Sequence, residues 1–201
     1  LLALGLSRLA TLSPSTRFVG LSATVHDPAA LSDWLALGGR PVETVRVAGG
    51  AQPALSILSP EARVPWGGHM ARHTIPDVYN AIRQHRMTIV FVNTRATAEI
   101  VFDDLWRMND ENLPIGLHHG SLEVEQRRKI EAAMAAGRLR GVVATSSLDL
   151  GIDWGDIDLV VQVGAPKGVS RLLQRVGRAN HRMDEPSKAI LAPGNRFEVL
   201  E

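Results

Sequence analysis

TIVFVNTRATAEIVFDDLWRM, residues 88–108, passes from an apolar run through a small polar cluster into a helical pattern. Thr88–Val92 predicts a buried strand, Asn93-Thr94-Arg95 a loop, and Ala96–Met108 a helix. The same grammar repeats on either side. Upstream lie a strand at Ala54–Leu58, a Pro- and Gly-bearing loop at Ser59–Met70 and a helix at Ile75–His85. Downstream follow strand Ile115–His118 and helix Glu123–Ala136, which Ser121 should cap and Gly137 should end. Strands Gly141–Ala144 and Leu159–Val163, a helix from Gly168 to Arg182, and strand Ala189–Leu191 complete the set. Strands and helices alternating at this spacing predict an α/β fold built on a doubly wound parallel sheet with helices on both faces.

The first 50 residues are organised separately. Leu1–Leu12 reads as an apolar-rich helix and Arg17–Leu21 as a short buried strand. Asp27-Pro28 is a helix start, with a capping carboxylate followed by proline at the first helical position. Leu31, Trp34, Leu35 and Leu37 give that helix an apolar side before Gly38-Gly39 stops it. Val42–Val47 alternates as a strand should, and Ala48-Gly49-Gly50 is the best linker candidate. The opening at Leu1, inside a patterned segment, suggests a piece cut from something longer.

Composition narrows the chemistry. With 45% hydrophobic and 21% charged residues over 201 positions, the chain reads as a globular protein with a real core. The formal charge is only +1, so nucleic-acid binding would have to rest on a local patch. There is no cysteine, hence no disulfide, thiolate nucleophile or cysteine-based zinc site. That fits a cytoplasmic protein, and no apolar run approaches the ~18 residues that span a membrane.

Each central strand ends in a polar cluster: Asn93-Thr94-Arg95, Gly120-Ser121, Thr145-Ser146-Ser147 and Gly164-Ala165-Pro166-Lys167. In an open parallel sheet all carboxyl ends share one edge, where ligands bind. One such cluster is ordinary turn chemistry; four in the same position suggest a polyphosphate or a nucleic-acid backbone. The helix GVSRLLQRVGRANHR adds Arg171, Arg175, Arg178 and Arg182 within about 60° of one another. Leu172, Leu173, Val176 and Ala179 should form its inward side. No acid occurs at helical spacing before Asp184, so the stripe is either a solvated basic face or a site for an anion.

These residues resemble a known series. Ser22-Ala23-Thr24, FVNTR at 91–95, HHGSL at 118–122, ATSSLDLGIDWGDIDLVVQVGAPKG at 144–168 and QRVGRANHR at 174–182 look, in order, like motifs III to VI of superfamily 2 helicases. GIDWGDID, GAPKGVSRLLQR and NHRMDEPSKA most resemble the large helicase-related (Lhr) DNA helicases, with a lean toward the branch associated with DNA-repair ligases. Such motors pair two RecA-like domains, with ATP in the cleft between them and a nucleic-acid strand across the top. The resemblance implies that residues 1–48 are the C-terminal part of the first motor domain, 49–52 a linker, and 53–201 the second. The chain contains no GxxxxGK[ST] and no DExH box, so ATP and Mg²⁺ would be held mainly by the first domain.

Roles follow from the same resemblance. Arg178 would be the arginine finger and Gln174 would touch the same γ-phosphate. The second arginine of the wider superfamily falls here on His181, with Arg182 one residue later. Arg175 is placed on the nucleotide side, or, with Arg171, in a structural contact or against acids of the first domain. Gly151 and Asp153 would lie against the ribose or couple it to the strand; Asp153 also reads as a loop-capping carboxylate. Thr94, Arg95, Gly120, Thr145 and Ser146 would hold phosphates of the tracking strand, and Ser22 and Thr24 would link hydrolysis to movement. The implied partners are single-stranded or partly duplex DNA and the first RecA-like domain of the same protein, with 3′-to-5′ movement and a repair role.

Other readings stay open at this level. An RNA helicase, a non-hydrolysing nucleic-acid-binding module on a RecA-like fold, and an unrelated nucleotide-binding enzyme are the alternatives; no GxGxxG favours the last. His118 and His119 alternate faces along a strand and lack an accompanying ligand cluster, so no metal is expected. Trp34, Trp66 and Trp106 read as core or interface residues, and Trp154 as a candidate for nucleic-acid contact. Residues 1–48 would present an unpaired strand edge and exposed leucines, which predicts self-association through them.

Overall fold

The computed structural model describes residues 1–22, 27–46, 52–60, 62–68, 70–149, 157–179 and 186–200. The chain divides into two compact units, Leu1–Gly49 and Gly50–Glu201. The candidate linker at 48–50 lies outside the described residues, as does all of 49–52 except Gln52.

In the first unit, α1 spans Leu2–Leu12 and α2 spans Pro28–Leu35. The Asp27 carboxylate accepts from the Ala29 and Ala30 amides at 3.0 and 3.1 Å, as a cap ahead of an N-terminal proline should. Neither helix buries a residue. The two expected strands do not form: 17–21 and the described part of 42–47 are irregular. Val19, Leu21 and Val45 are each at least 80% exposed. An extended segment becomes a strand only by joining a ladder, and none of the described residues of this unit offers one. Instead Arg40 ties the unit locally, donating to the Pro14 and Thr16 carbonyls.

The second unit is a six-stranded, wholly parallel sheet in the order β1-β6-β5-β2-β4-β3. The strands are β1 (Ala54–Ile57), β2 (Thr88–Phe91), β3 (Ile115–His118), β4 (Gly141–Ala144), β5 (Leu159–Val163) and β6 (Lys188–Ala192). Among the described residues four α-helices cover it: α3 (Ile75–Gln84), α4 (Arg95–Arg107), α5 (Val124–Ala135) and α6 (Val169–Val176). Val90, Val143 and Val161 pack with Val78 and Ile82 of α3 and Val101 and Leu105 of α4. Ile89, Phe91, Val142 and Val160 pack on the other face with Met134 of α5 and Leu172 and Val176 of α6. Burial on both faces is why the central strands read as unbroken apolar runs rather than alternating ones.

Two helix termini differ from expectation. α5 starts at Val124 with Glu123 at the cap position and no side-chain cap bond, so Ser121 stands too far upstream to serve. Its C-terminal end agrees: Gly137, at φ +63°, takes the left-handed conformation and donates to the Met134 carbonyl. α6 stops at Val176, and Gly177, Arg178 and Ala179 continue as tight turns. The helix therefore does not run through Arg182, which lies outside the described residues.

Candidate nucleic-acid interface

Because β3, β4 and β2 are neighbours, their carboxyl ends put three of the polar clusters side by side. Thr94 caps α4, its hydroxyl accepting from the Thr97 amide at 3.1 Å. Arg95 opens that helix, is exposed, and donates from Nη1 to Ser121 Oγ at 3.2 Å, joining the ends of β2 and β3. Gly120 faces open space, with nothing within 4 Å of where a Cβ would stand. Thr145 is half-buried and Ser146 exposed, at the head of a 3₁₀ turn over Ser146–Leu148. The Thr145 amide donates to the His118 carbonyl at 3.3 Å, joining β4 to β3. Hydroxyls, an open backbone and one guanidinium on a single edge suit repeated phosphates, which carry no sequence information.

The fourth cluster sits across β2. α4 follows β2 on one face and α6 follows β5 on the other, so the topological switch point lies between these two adjacent strands. Asn93 Nδ2 closes it, donating to the Ala165 carbonyl at 2.7 Å. Farther along the edge, the Glu198 carboxylate accepts from the Ala165 and Gly194 amides at 3.2 and 2.6 Å, pinning the ends of β5 and β6. Sequence reading missed Glu198, since nothing local marks it as the partner of these amides.

The arginine stripe is corrected. Arg175 is buried, only 1% exposed, and faces inward. Its Nε donates to Asp149 Oδ1 at 2.8 Å, its Nη1 to Gln162 Oε1 at 2.6 Å, and its guanidinium lies 4.7 Å from the centre of the Phe91 ring. Arg171 stands 3.6 Å from the same carboxylate. An acid is therefore beside two of the arginines, supplied by the turn after β4 instead of by the helix itself. With these donors engaged inside the fold, Arg175 anchors α6 to β5 and that turn. On the apolar side Leu172, Val176 and Ala179 are buried as expected, but Leu173 is exposed. Arg178 and Gln174 are half-buried and engaged in interactions.

The tandem histidines do point to opposite faces. His118 lies between Ser147 and Glu131, while His119 Nε2 is 3.4 Å from Glu99 of α4. Burial holds the His118 pKa below its ordinary value, against the opposing pull of Glu131. Among the described residues no group of three or more His, Cys, Asp or Glu side chains could hold a metal ion. Trp34, Trp66 and Trp106 are not core residues: each is at least 40% exposed, Trp66 beneath the Arg196 guanidinium and Trp106 stacked on Phe102. Ser22 is exposed in the first unit. Thr24, Gly151, Asp153, Trp154, His181 and Arg182 lie outside the described residues.

Residues 71–183 match the helicase conserved C-terminal domain. The chain is 34% identical over 202 positions to ATP-dependent helicase Lhr-Core of Methanocaldococcus jannaschii, covering all of this chain and 24% of that protein. It is 37% identical to the Lhr helicase/probable uracil glycosylase of Mycolicibacterium smegmatis, covering 99% of this chain and 16% of that one. The chain thus spans about a quarter or less of these relatives. Among solved structures, it matches Mycobacterium smegmatis helicase Lhr bound to ssDNA and AMP-PNP with a TM-score of 0.83 at 37% identity, over 99% of this chain and 27% of that one. The DUF1998 helicase MrfA bound to DNA and AMPPNP gives 0.65 at 26% identity, over 89% and 26%. No helix of the described residues is long and apolar enough to cross a membrane.

Proposed function

Since this chain belongs to the helicase conserved C-terminal domain family, and within superfamily 2 to the Lhr type, we propose that residues 53–201 are the second motor domain of an ATP-dependent DNA helicase. Residues 1–48 are the end of the first motor domain, joined by a linker at 49–52. The observation that carries this reading is the shared edge of β3, β4 and β2, with Gly120, Thr145, Ser146, Thr94 and Arg95 in line along it. These groups grip strand phosphates. Arg178 reaches the γ-phosphate as charge develops in phosphoryl transfer, with Gln174 and Arg182 beside it. Gly151 and Asp153 meet the ribose, and Ser22 and Thr24 couple hydrolysis to stepping.

ATP and Mg²⁺ are held chiefly by the first domain, which supplies the phosphate-cradling loop and the carboxylate that the metal needs. DNA is the proposed strand because the Lhr and MrfA structures are bound to it. DNA repair is the proposed setting, carried by the resemblance alone.

The test is binding of fluorescent single-stranded oligonucleotides to this chain across a salt series. Binding should be weak, steeply salt-dependent and indifferent to base composition, because the contacts are to phosphate. Arg95→Ala should weaken binding to every sequence alike and lower the slope of log affinity against log salt by about one. Marked base preference, or a flat salt response, would contradict a phosphate-tracking edge.

A further inference from the structure

We propose that His118 is a positioning residue that clasps the turn after β4 to the end of β3, and so sets the spacing of two phosphate-contact points. This rests on the strand-gripping role proposed above. His118 is 1% exposed, yet it is polar and sits at the last position of β3, immediately below the candidate contact edge. A buried polar side chain persists only where its hydrogen bonds are met, and both ring nitrogens have partners. Nδ1 is 2.8 Å from Ser147 Oγ and Nε2 is 3.0 Å from Glu131 Oε1 of α5.

The chemistry of the partners fixes the direction of these bonds. A carboxylate only accepts, so the neutral ring donates its Nε2–H to Glu131, and the one Ser147 hydroxyl proton is shared between Nδ1 and the His118 carbonyl. Glu131 thereby selects the tautomer that takes Ser147, as a carboxylate does for a metal-bound or catalytic imidazole. The Ser147 hydroxyl also lies 3.1 Å from the His118 carbonyl, and that carbonyl accepts the Thr145 amide. One residue of β3 thus holds Thr145 through its backbone and Ser147 through both its ring and its backbone, on either side of Ser146. The chain then turns through His119 to Gly120, the contact point on the neighbouring strand end. Fixing Thr145–Ser147 against His118 fixes the interval between two grips on a ligand whose phosphates recur at a constant interval.

The two ring atoms can be separated by substitution. Asparagine places an amide near the position of Nδ1, and glutamine reaches the position of Nε2. His118→Asn should keep the bond to Ser147 and retain single-stranded DNA binding within about twofold. His118→Gln should keep Glu131 but remove the ring bond to Ser147, leaving that hydroxyl on the main-chain carbonyl of residue 118 alone, and weaken binding about five- to tenfold, the equivalent of one buried hydrogen bond. Ser147→Ala removes both contacts of that hydroxyl, so it should weaken binding at least as much as His118→Gln, and the double variant should lose no more than Ser147→Ala. The probe is a fluorescent oligothymidylate bound to the 201-residue chain. Amide hydrogen exchange without DNA is read in parallel: Thr145–Leu148 should exchange faster in His118→Gln and Ser147→Ala, and at the wild-type rate in His118→Asn. A purely structural histidine would make both His118 variants lose the same thermal stability with no difference in local exchange, and that result overturns the proposal. If the unaltered chain binds no oligothymidylate, the strand-gripping role fails, and the exchange pattern still decides whether the clasp exists.

Discussion

In the full-length protein, Arg178→Ala should lower DNA-stimulated ATP hydrolysis by about 10³- to 10⁵-fold while nucleotide-free DNA binding stays within about twofold of normal. The size of the effect follows from where charge appears. Phosphoryl transfer spreads negative charge over the γ-phosphate oxygens, and a guanidinium held against them stabilises the transition state far more than the ground state. Arg178 follows the Gly177 turn at the end of α6, and its amide donates to the Arg175 carbonyl at 2.9 Å. Steady-state hydrolysis and fluorescence anisotropy on the same preparation separate the two outcomes. Equal loss of both would make Arg178 a structural residue or a DNA ligand.

Asp149→Ala should destabilise the second unit by about 3–5 kcal/mol, the range seen when one partner of a buried ion pair is removed. The carboxylate is 5% exposed and meets two guanidinium nitrogens of Arg175, at 2.8 and 3.5 Å. Without it a buried cation keeps, among the described residues, the Gln162 amide oxygen and the face of Phe91. Asp149→Leu combined with Arg175→Met should recover much of that loss, because no charge is then left unpaired. Denaturant unfolding followed by circular dichroism checks both variants. A loss below about 1 kcal/mol for Asp149→Ala would mean that water reaches the guanidinium and that Arg175 does not anchor α6.

The second unit was legible in the sequence, and the reasons are local. A strand covered on both faces must be apolar throughout, so TIVFV and LVVQV declare themselves without knowledge of their neighbours. The polar clusters were equally plain, because a chain leaving the carboxyl edge needs turn residues at that point. What could not be read depends on partners distant in sequence. RFVGL is as apolar as a strand, but a strand also needs a ladder, and without one 17–21 is irregular, with Val19 and Leu21 exposed. Arg175 shares the helical period of Arg171 and Arg178, so periodicity alone puts it in one outward stripe with them. Its counter-ion comes from 26 residues earlier, a distance at which no helical spacing rule applies. The roles of His118 and Glu198 were hidden for the same reason, since Glu131, Ser147 and the two backbone amides become their neighbours only after the sheet is assembled.

The most direct test of the central claim is a structure of the full-length protein with single-stranded DNA and a γ-phosphate transition-state mimic. The Arg178 guanidinium should lie at hydrogen-bond distance, about 2.7–3.0 Å, from the mimic's oxygens. The DNA backbone should run along the β3–β4–β2 edge, with Arg95 and Thr145 on phosphates. A strand on any other face of this unit, or Arg178 turned away from the nucleotide, would contradict the claim.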